Sequence, residues 1–218
     1  MTRGLFITLE GVEGAGKSSN IPFITGLLEK TGKAVVVTRE PGGTKLGESI
    51  RNLLLDPNPE IKIHPESELL LMFAARAQHF HEVILPALKS GKTVLCDRFT
   101  DASFAYQGAG RGIPIGKIAQ LQAWLQGDLR PDLTLIFDID VEAGLRRAND
   151  RSNPDRFEKE KIDFFQRVRD YYLQRAPQRE RYKIIDASGN IASVETQLES
   201  VITAFLQQAT RGALGVFK

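Results

Sequence analysis

Cysteine is almost missing from this chain: Cys96 stands alone in 218 residues. No disulfide can form within it, so packing rather than covalent stapling must hold the fold, which suits a reducing cytoplasm. Long apolar runs are missing too. The opening stretch, MTRGLFITLEG, breaks at Glu10 after a short apolar run and reads neither as a signal peptide nor as a membrane span. Charge of one sign is not in excess: 29 Lys and Arg face 27 Asp and Glu, a net charge of +2. A chain that lives on nucleic acid carries a larger basic surplus, so neither nucleic acid nor membrane is expected as a partner. Histidine is scarce, and His64, His79 and His81 have no Cys/His set at metal-ligand spacing. All three read as structural. Internal repeats and low-complexity tracts are absent. So is any linker long enough to separate domains, and 1–218 therefore reads as one domain.

What is present is ordinary in bulk, 42% hydrophobic and 26% charged, and informative in pattern. Five short apolar runs at 5–9, 34–38, 93–96, 133–139 and 182–185 show little alternation, as strands buried on both faces do. Amphipathic stretches at 67–89, 115–126, 159–176 and 191–209 lie between or after them. Strands alternating with helices imply an α/β fold: a five-stranded parallel sheet flanked by helices, with right-handed crossovers. The polar stretch 150–156, broken by Pro154, reads as a surface loop between two helices.

The first apolar run leads into Gly11-Val12-Glu13-Gly14-Ala15-Gly16-Lys17-Ser18, a complete G-x-x-x-x-G-K-[ST] phosphate loop. Chance would supply about 0.01 such matches in a chain this long. Glycines let several backbone N–H groups converge on one phosphate, and the helix that follows adds its positive end. Lys17 brings a mobile charge to the β- and γ-phosphates, and the Ser18 hydroxyl suits Mg²⁺. Gly11 to Ser18, with Ser19, are therefore the candidate ATP-binding residues, and Lys17 is a catalytic one. No Asn-Lys-x-Asp guanine-reading motif is present, and neither are the insertion and signature segment of a transporter ATPase. Small size and scattered arginine-bearing segments favour a small-molecule kinase.

Those segments are Thr38-Arg-Glu-Pro-Gly-Gly-Thr44, Phe73-Ala-Ala-Arg76, Asp97-Arg98-Phe99 and Ala105-Tyr-Gln-Gly108. These segments lie at strand ends or on the helices that follow, and ligands of open α/β sheets sit beyond the carboxyl ends of the strands, the edge to which the first three strands deliver Glu13, Arg39 and Glu40, and Asp97 and Arg98. With the acid at the third position of the loop, they make the whole chain resemble the thymidylate kinase (dTMP kinase) family, which has a P-loop NTPase fold of the nucleoside monophosphate kinase type. The resemblance implies transfer of the γ-phosphate of ATP to dTMP, with Mg²⁺ and as a homodimer. It implies that Arg51 and Arg98 grip the dTMP phosphate, for which bidentate guanidinium is suited. It places Arg76, Gln107 and Ser103 at the thymine edge, Glu13 at the sugar 3′-hydroxyl, and Tyr106 against the sugar, excluding a 2′-hydroxyl. Asp97 acts through Mg²⁺, beside Ser18, with Glu40 in support. In the family an aromatic ring stacks on thymine from four residues before the arginine. Here that position is Met72, with Phe73 three before; both spacings share a helix face, and the ring favours Phe73.

Some relatives carry a catalytic arginine in the phosphate loop and others in a lid. Gly14 occupies the loop position, so the role passes to a lid at about 146–157, with Arg151 as the clamp and Arg147 and Arg156 supporting it at ATP. Cys96, at the end of a buried strand, reads as packing. Trp124 reads as core or dimer interface.

Overall fold

The computed structural model describes residues 3–58, 60–150 and 155–214. The five apolar runs are strands: β1 (Phe6–Glu10), β2 (Val35–Arg39), β3 (Thr93–Asp97), β4 (Leu133–Asp138) and β5 (Tyr182–Asp186). They form one parallel sheet in the order β2-β3-β1-β4-β5. The three inner strands are buried almost throughout, while the edge strands expose Val37 and Ile184. That gradient is why an edge tolerates Lys183, whereas the polar groups of the inner strands are paired: Thr8 and Thr134, both fully buried, hydrogen-bond each other at 2.9 Å. The strands extend past their apolar runs onto Glu10, Arg39, Asp97 and Asp186; Asp97 pairs with Leu9 on one side and Arg39 on the other. The ladder therefore carries polar side chains to its carboxyl edge at fixed register.

Crossovers run through α1 (Lys17–Glu29), α2 (Lys45–Leu55), α3 (Pro65–His79), α4 (Leu85–Lys89), α5 (Thr100–Ser103), α6 (Ile115–Gln126), α7 (Val141–Asn149) and α8 (Ile162–Arg175), and α9 (Ile191–Leu214) follows the last strand. The long helix expected over 67–89 is interrupted by a wider π turn at Phe80–Ile84, where the Leu85 N–H reaches back to the Phe80 carbonyl. Pro86 explains the interruption. Its ring would collide with the carbonyl one turn earlier in a regular helix, and widening the preceding turn relieves the clash. A second π turn, Phe104–Gly110, follows α5.

Alternation along β1 splits the interior into two layers. Ile7 and Leu9 join the larger core with Ile24, Leu135, Phe165 and Leu198; Phe6 points the other way, to Phe80, Ile84, Leu88, Val94 and Phe99. Phe6 and Phe99 meet edge-on at 4.9 Å, a favoured aromatic geometry. Cys96 belongs to this second layer; burial pushes its thiol well above the ordinary range, consistent with a packing role. A third cluster joins α3 to α6 through Leu69, Phe73, Phe104, Ile113 and Ile118. Trp124 is 86% exposed, which removes the core alternative for it.

Candidate active site

The phosphate loop leaves β1 and curls into α1 with positive φ at Gly11, Gly14 and Gly16. Gly14 is the tightest point. A Cβ there would lie 1.8 Å from the carbonyl oxygen of Gly144 on α7, and a Cβ on Gly144 would lie 2.6 Å from that of Glu13. Two bare backbones are thus pressed together. The N-cap of α1 is Gly16, with no side-chain cap bond, so the helix start presents its N–H groups to an incoming anion. Lys17 folds over the loop and donates to the carbonyls of Gly11 at 2.9 Å and Val12 at 2.8 Å. Burial, then the nearby positive charge of Arg98, lowers its pKa to about 8.

A polyphosphate beside Lys17 favours the charged form and raises that pKa. Above pH 8 the unliganded amine is mostly neutral, so binding must draw in a proton. ATP affinity is expected to weaken above pH 8, approaching about tenfold per pH unit. Calorimetry in two buffers of different ionisation heat should show the proton uptake. An affinity that stays flat from neutrality to pH 9.5 would contradict it.

Ser18 donates from Oγ to Asp97 Oδ2 at 3.1 Å. The other carboxylate oxygen, Asp97 Oδ1, is buried with no hydrogen-bond partner among the described residues. Buried oxygens are rarely left so, and a hydroxyl beside an under-satisfied carboxylate fits the hard-oxygen ligation of Mg²⁺.

Beyond the loop lies an open cleft bordered by Glu13, Arg51, Arg76, Asp97, Arg98, Ser103, Tyr106 and Gln107 among others. Arg98 has a φ of 64°, uncommon for a side-chain-bearing residue. That backbone turn aims its guanidinium across the cleft floor, where it donates to Gly11 O at 2.8 Å and Glu13 Oε1 at 2.7 Å and lies 4.8 Å from the Tyr106 ring centre. The Tyr106 hydroxyl donates to the other Glu13 oxygen at 2.7 Å. Arg51, on α2, donates to Pro41 O at 3.0 Å; burial, then Arg39, lowers its pKa. Arg51 and Arg98 thus give one cleft two cations, an arrangement made for a phosphate.

Arg76 is buried and held on three sides, by Glu40 Oε2 at 2.6 Å, Ser103 Oγ at 3.0 Å and Phe99 O at 3.2 Å. Glu40 takes a second bond from His79 Nδ1 at 3.0 Å, and His79 Nε2 meets Thr38 Oγ1 at 2.6 Å. Both Glu40 oxygens are engaged, so its carboxylate orients Arg76 from the edge of the cleft. Phe73 requires a correction. Met72 borders the cleft, whereas Phe73 is buried in the α3–α6 cluster, with the Arg76 guanidinium 4.7 Å from its ring centre. The shorter spacing points behind the arginine rather than into the cleft.

On the far side of the loop a second cleft is bordered by Gly14, Ala15, Gly16, Ser19, Arg147, Gly189, Asn190 and the start of α9 at Ile191 and Ala192. Arg147 lies in the last turn of α7, in a helix rather than a loop, and donates to Ala187 O at 2.9 Å and Ser188 O at 3.2 Å. Arg156, expected beside ATP, is instead tied to α2 and α3 through Leu54 O at 2.6 Å and Glu68 Oε2 at 2.7 Å. Arg151 lies outside the described residues.

Two carboxylates escaped the sequence reading. Glu10 lies wholly buried under the loop, accepting from Phe99 N and the Tyr172 hydroxyl; burial, then Asp101, raises its pKa. An acid closing an otherwise apolar strand was the available signal. Glu68, buried on α3, left no signal at all.

A phosphate loop with an anion-gripping cleft on one side and a second cleft on the other, on this sheet order, defines a P-loop nucleoside monophosphate kinase, a phosphotransferase. Residues 9–198 match the family model described as thymidylate kinase. The chain belongs to the thymidylate kinase family. It is 56% identical over 210 residues to the thymidylate kinase of Ectopseudomonas mendocina (strain ymp), covering 96% of this chain and 99% of that one. Its identity to the Pseudomonas entomophila (strain L48) enzyme is 54% over 206 residues, 94% of this chain and 98% of that one. The crystal structure of thymidylate kinase from Ehrlichia chaffeensis superposes with a TM-score of 0.74 at 35% identity, over 92% of this chain and 99% of that one.

Proposed function

We propose that the chain transfers the γ-phosphate of ATP to the 5′-phosphate of dTMP, giving dTDP and ADP on the route to dTTP. The carrying observation is the pair Arg51 and Arg98 in the cleft next to Lys17. There an acceptor phosphate is gripped while its oxygen faces a nucleotide cradled by the loop. The step breaks the bond from the γ-phosphorus to its bridging oxygen and forms one to the dTMP phosphate oxygen. The catalytic contribution is position and charge rather than covalent chemistry. Lys17 and the loop N–H groups hold the donor phosphates, and Arg98 holds the acceptor and offsets its repulsion. Mg²⁺, when bound, neutralises phosphate oxygens, and Ser18 and Asp97 are the residues that would hold it. Arg76, Gln107 and Ser103 read the thymine, with Met72 on its face; Glu13 and Tyr106 meet the deoxyribose. Arg147 borders the donor base.

A lid at about 146–157 supplies Arg151 to the transferring phosphate and closes the site against water. ADP release measured with dTMP, dUMP, CMP and GMP checks the acceptor; equal rates for all four end the dTMP reading. Wild-type turnover in Arg151→Ala ends the lid assignment.

A second copy of the chain covers the outer faces of α3 and α6, where Leu70, Ile115 and Trp124 are exposed. Trp124 is the sole tryptophan, so its emission should shift to the blue as concentration rises, and a constant spectrum argues for a monomer. No helix among the described residues is long and apolar enough to cross a membrane. Both substrates diffuse in the cytoplasm, where cell fractionation should find the protein.

A further inference from the structure

Glu68 lies two helical turns before Arg76 on α3, wholly buried and outside the cleft lining. Its Oε1 accepts from Gln107 Nε2 at 2.9 Å and Arg111 Nε at 3.3 Å; its Oε2 accepts from Arg111 Nη2 at 3.1 Å and Arg156 Nη2 at 2.7 Å. Arg111 is itself pinned, donating to Glu160 at 2.6 Å and lying 4.8 Å from the Phe164 ring centre. A buried carboxylate is tolerated only when so paired, and between two guanidiniums it can only accept hydrogen bonds.

That has a consequence for its third partner. A side-chain amide has a donor end and an acceptor end. Facing an acceptor-only carboxylate, Gln107 must turn its NH₂ toward Glu68, which leaves the carbonyl oxygen for the cleft that the same side chain borders. We infer that Glu68 is a positioning residue for base recognition: by locking the Gln107 amide it presents an acceptor to the pyrimidine N3 position. Thymine and uracil carry a hydrogen on N3 and satisfy it. Cytosine carries a lone pair there and is repelled. The inference deepens the reading of Gln107 as a base-facing residue and rests on it.

Glu68→Gln tests it, because a glutamine can offer either end to its neighbour and unlocks Gln107. The kcat/KM ratio of dTMP to dCMP is expected to narrow at least about tenfold, chiefly through a raised KM for dTMP, as when a directed polar contact is lost. The dTMP to dUMP ratio should hold within about twofold, because both bases carry the N3 hydrogen. Should that variant fold poorly, Glu68→Asp keeps the charge the arginines need, withdraws it from the amide by one methylene, and is expected to narrow the same ratio. An unchanged dTMP to dCMP ratio in both variants overturns the proposal. So does a parallel fall of both ratios, which would mark general loosening. Gln107→Leu separates the layers. If it narrows the ratio while neither Glu68 variant does, Gln107 reads the base without Glu68. If it too leaves the ratio intact, the base-facing reading falls and the Glu68 proposal with it.

Discussion

Arg98→Gly is expected to lose about 10³-fold in kcat/KM for dTMP, the effect of removing a guanidinium clamp from a phosphoryl-transfer site, and yet to unfold at a higher temperature than Arg98→Ala. The activity loss follows from position: Arg98 crosses the cleft floor to Gly11 O and Glu13 Oε1, both in the phosphate loop. Arg98→Lys keeps the charge but not the fork, and should recover only a fraction of the loss. The stability order follows from the backbone. At a φ of 64° any residue with a Cβ is disfavoured by about 1 kcal/mol, and glycine is not. Elsewhere in a chain alanine is the more stabilising of the two, so the reversal is diagnostic. Thermal unfolding and steady-state kinetics on the three variants check both halves. A loss under tenfold would take Arg98 off the acceptor phosphate, and an Ala variant as stable as the Gly variant would deny the left-handed turn.

Gly14→Ala should damage the protein more than one methyl group ordinarily does. The added Cβ would sit 1.8 Å from the Gly144 carbonyl oxygen, and backbone cannot rotate aside as a side chain can. Overpacking plus the left-handed penalty amounts to about 3 kcal/mol, roughly a 10 °C fall in Tm for a domain of this size. ATP affinity should drop with it, because the loop must shift to make room. Gly112→Ala is the control: its φ of 80° is similar, but nothing lies within 4 Å of its added Cβ, so about 1 kcal/mol is expected. Equal effects at the two positions, or a wild-type Gly14 variant, would mean that the loop and α7 do not press on each other.

Much of this was legible in the sequence because local chemistry matched the outcome. Inner strands are apolar on both faces, and the phosphate loop depends on residue types at fixed spacing. What escaped depended on tertiary geometry. Met72 and Phe73 are separated by the direction in which the middle of α3 packs, and spacing alone treats them alike. The interruption near Pro86 could have been suspected from the proline, but the form it took, a widened turn, depends on the packing of Phe80 and Ile84. Glu68 reads as an ordinary acid in the first turn of a helix, a frequent and cheap position. Only when Arg111 and Arg156 arrive from distant segments does it become a buried hub. The sequence neighbours of Arg156 point it toward ATP, but Leu54 and Glu68 hold it instead.

The contact between Gly14 and Gly144 also bears on where the arginine proposed for the lid could otherwise sit. An arginine at position 14 meets a backbone that does not yield, so the change fails before the new side chain could act. A replacement at position 144 presses on Glu13 from the opposite side. The two sites are therefore expected to be epistatic: if the arginine proposed for the lid were moved to the loop, α7 would have to be repositioned together with residue 14.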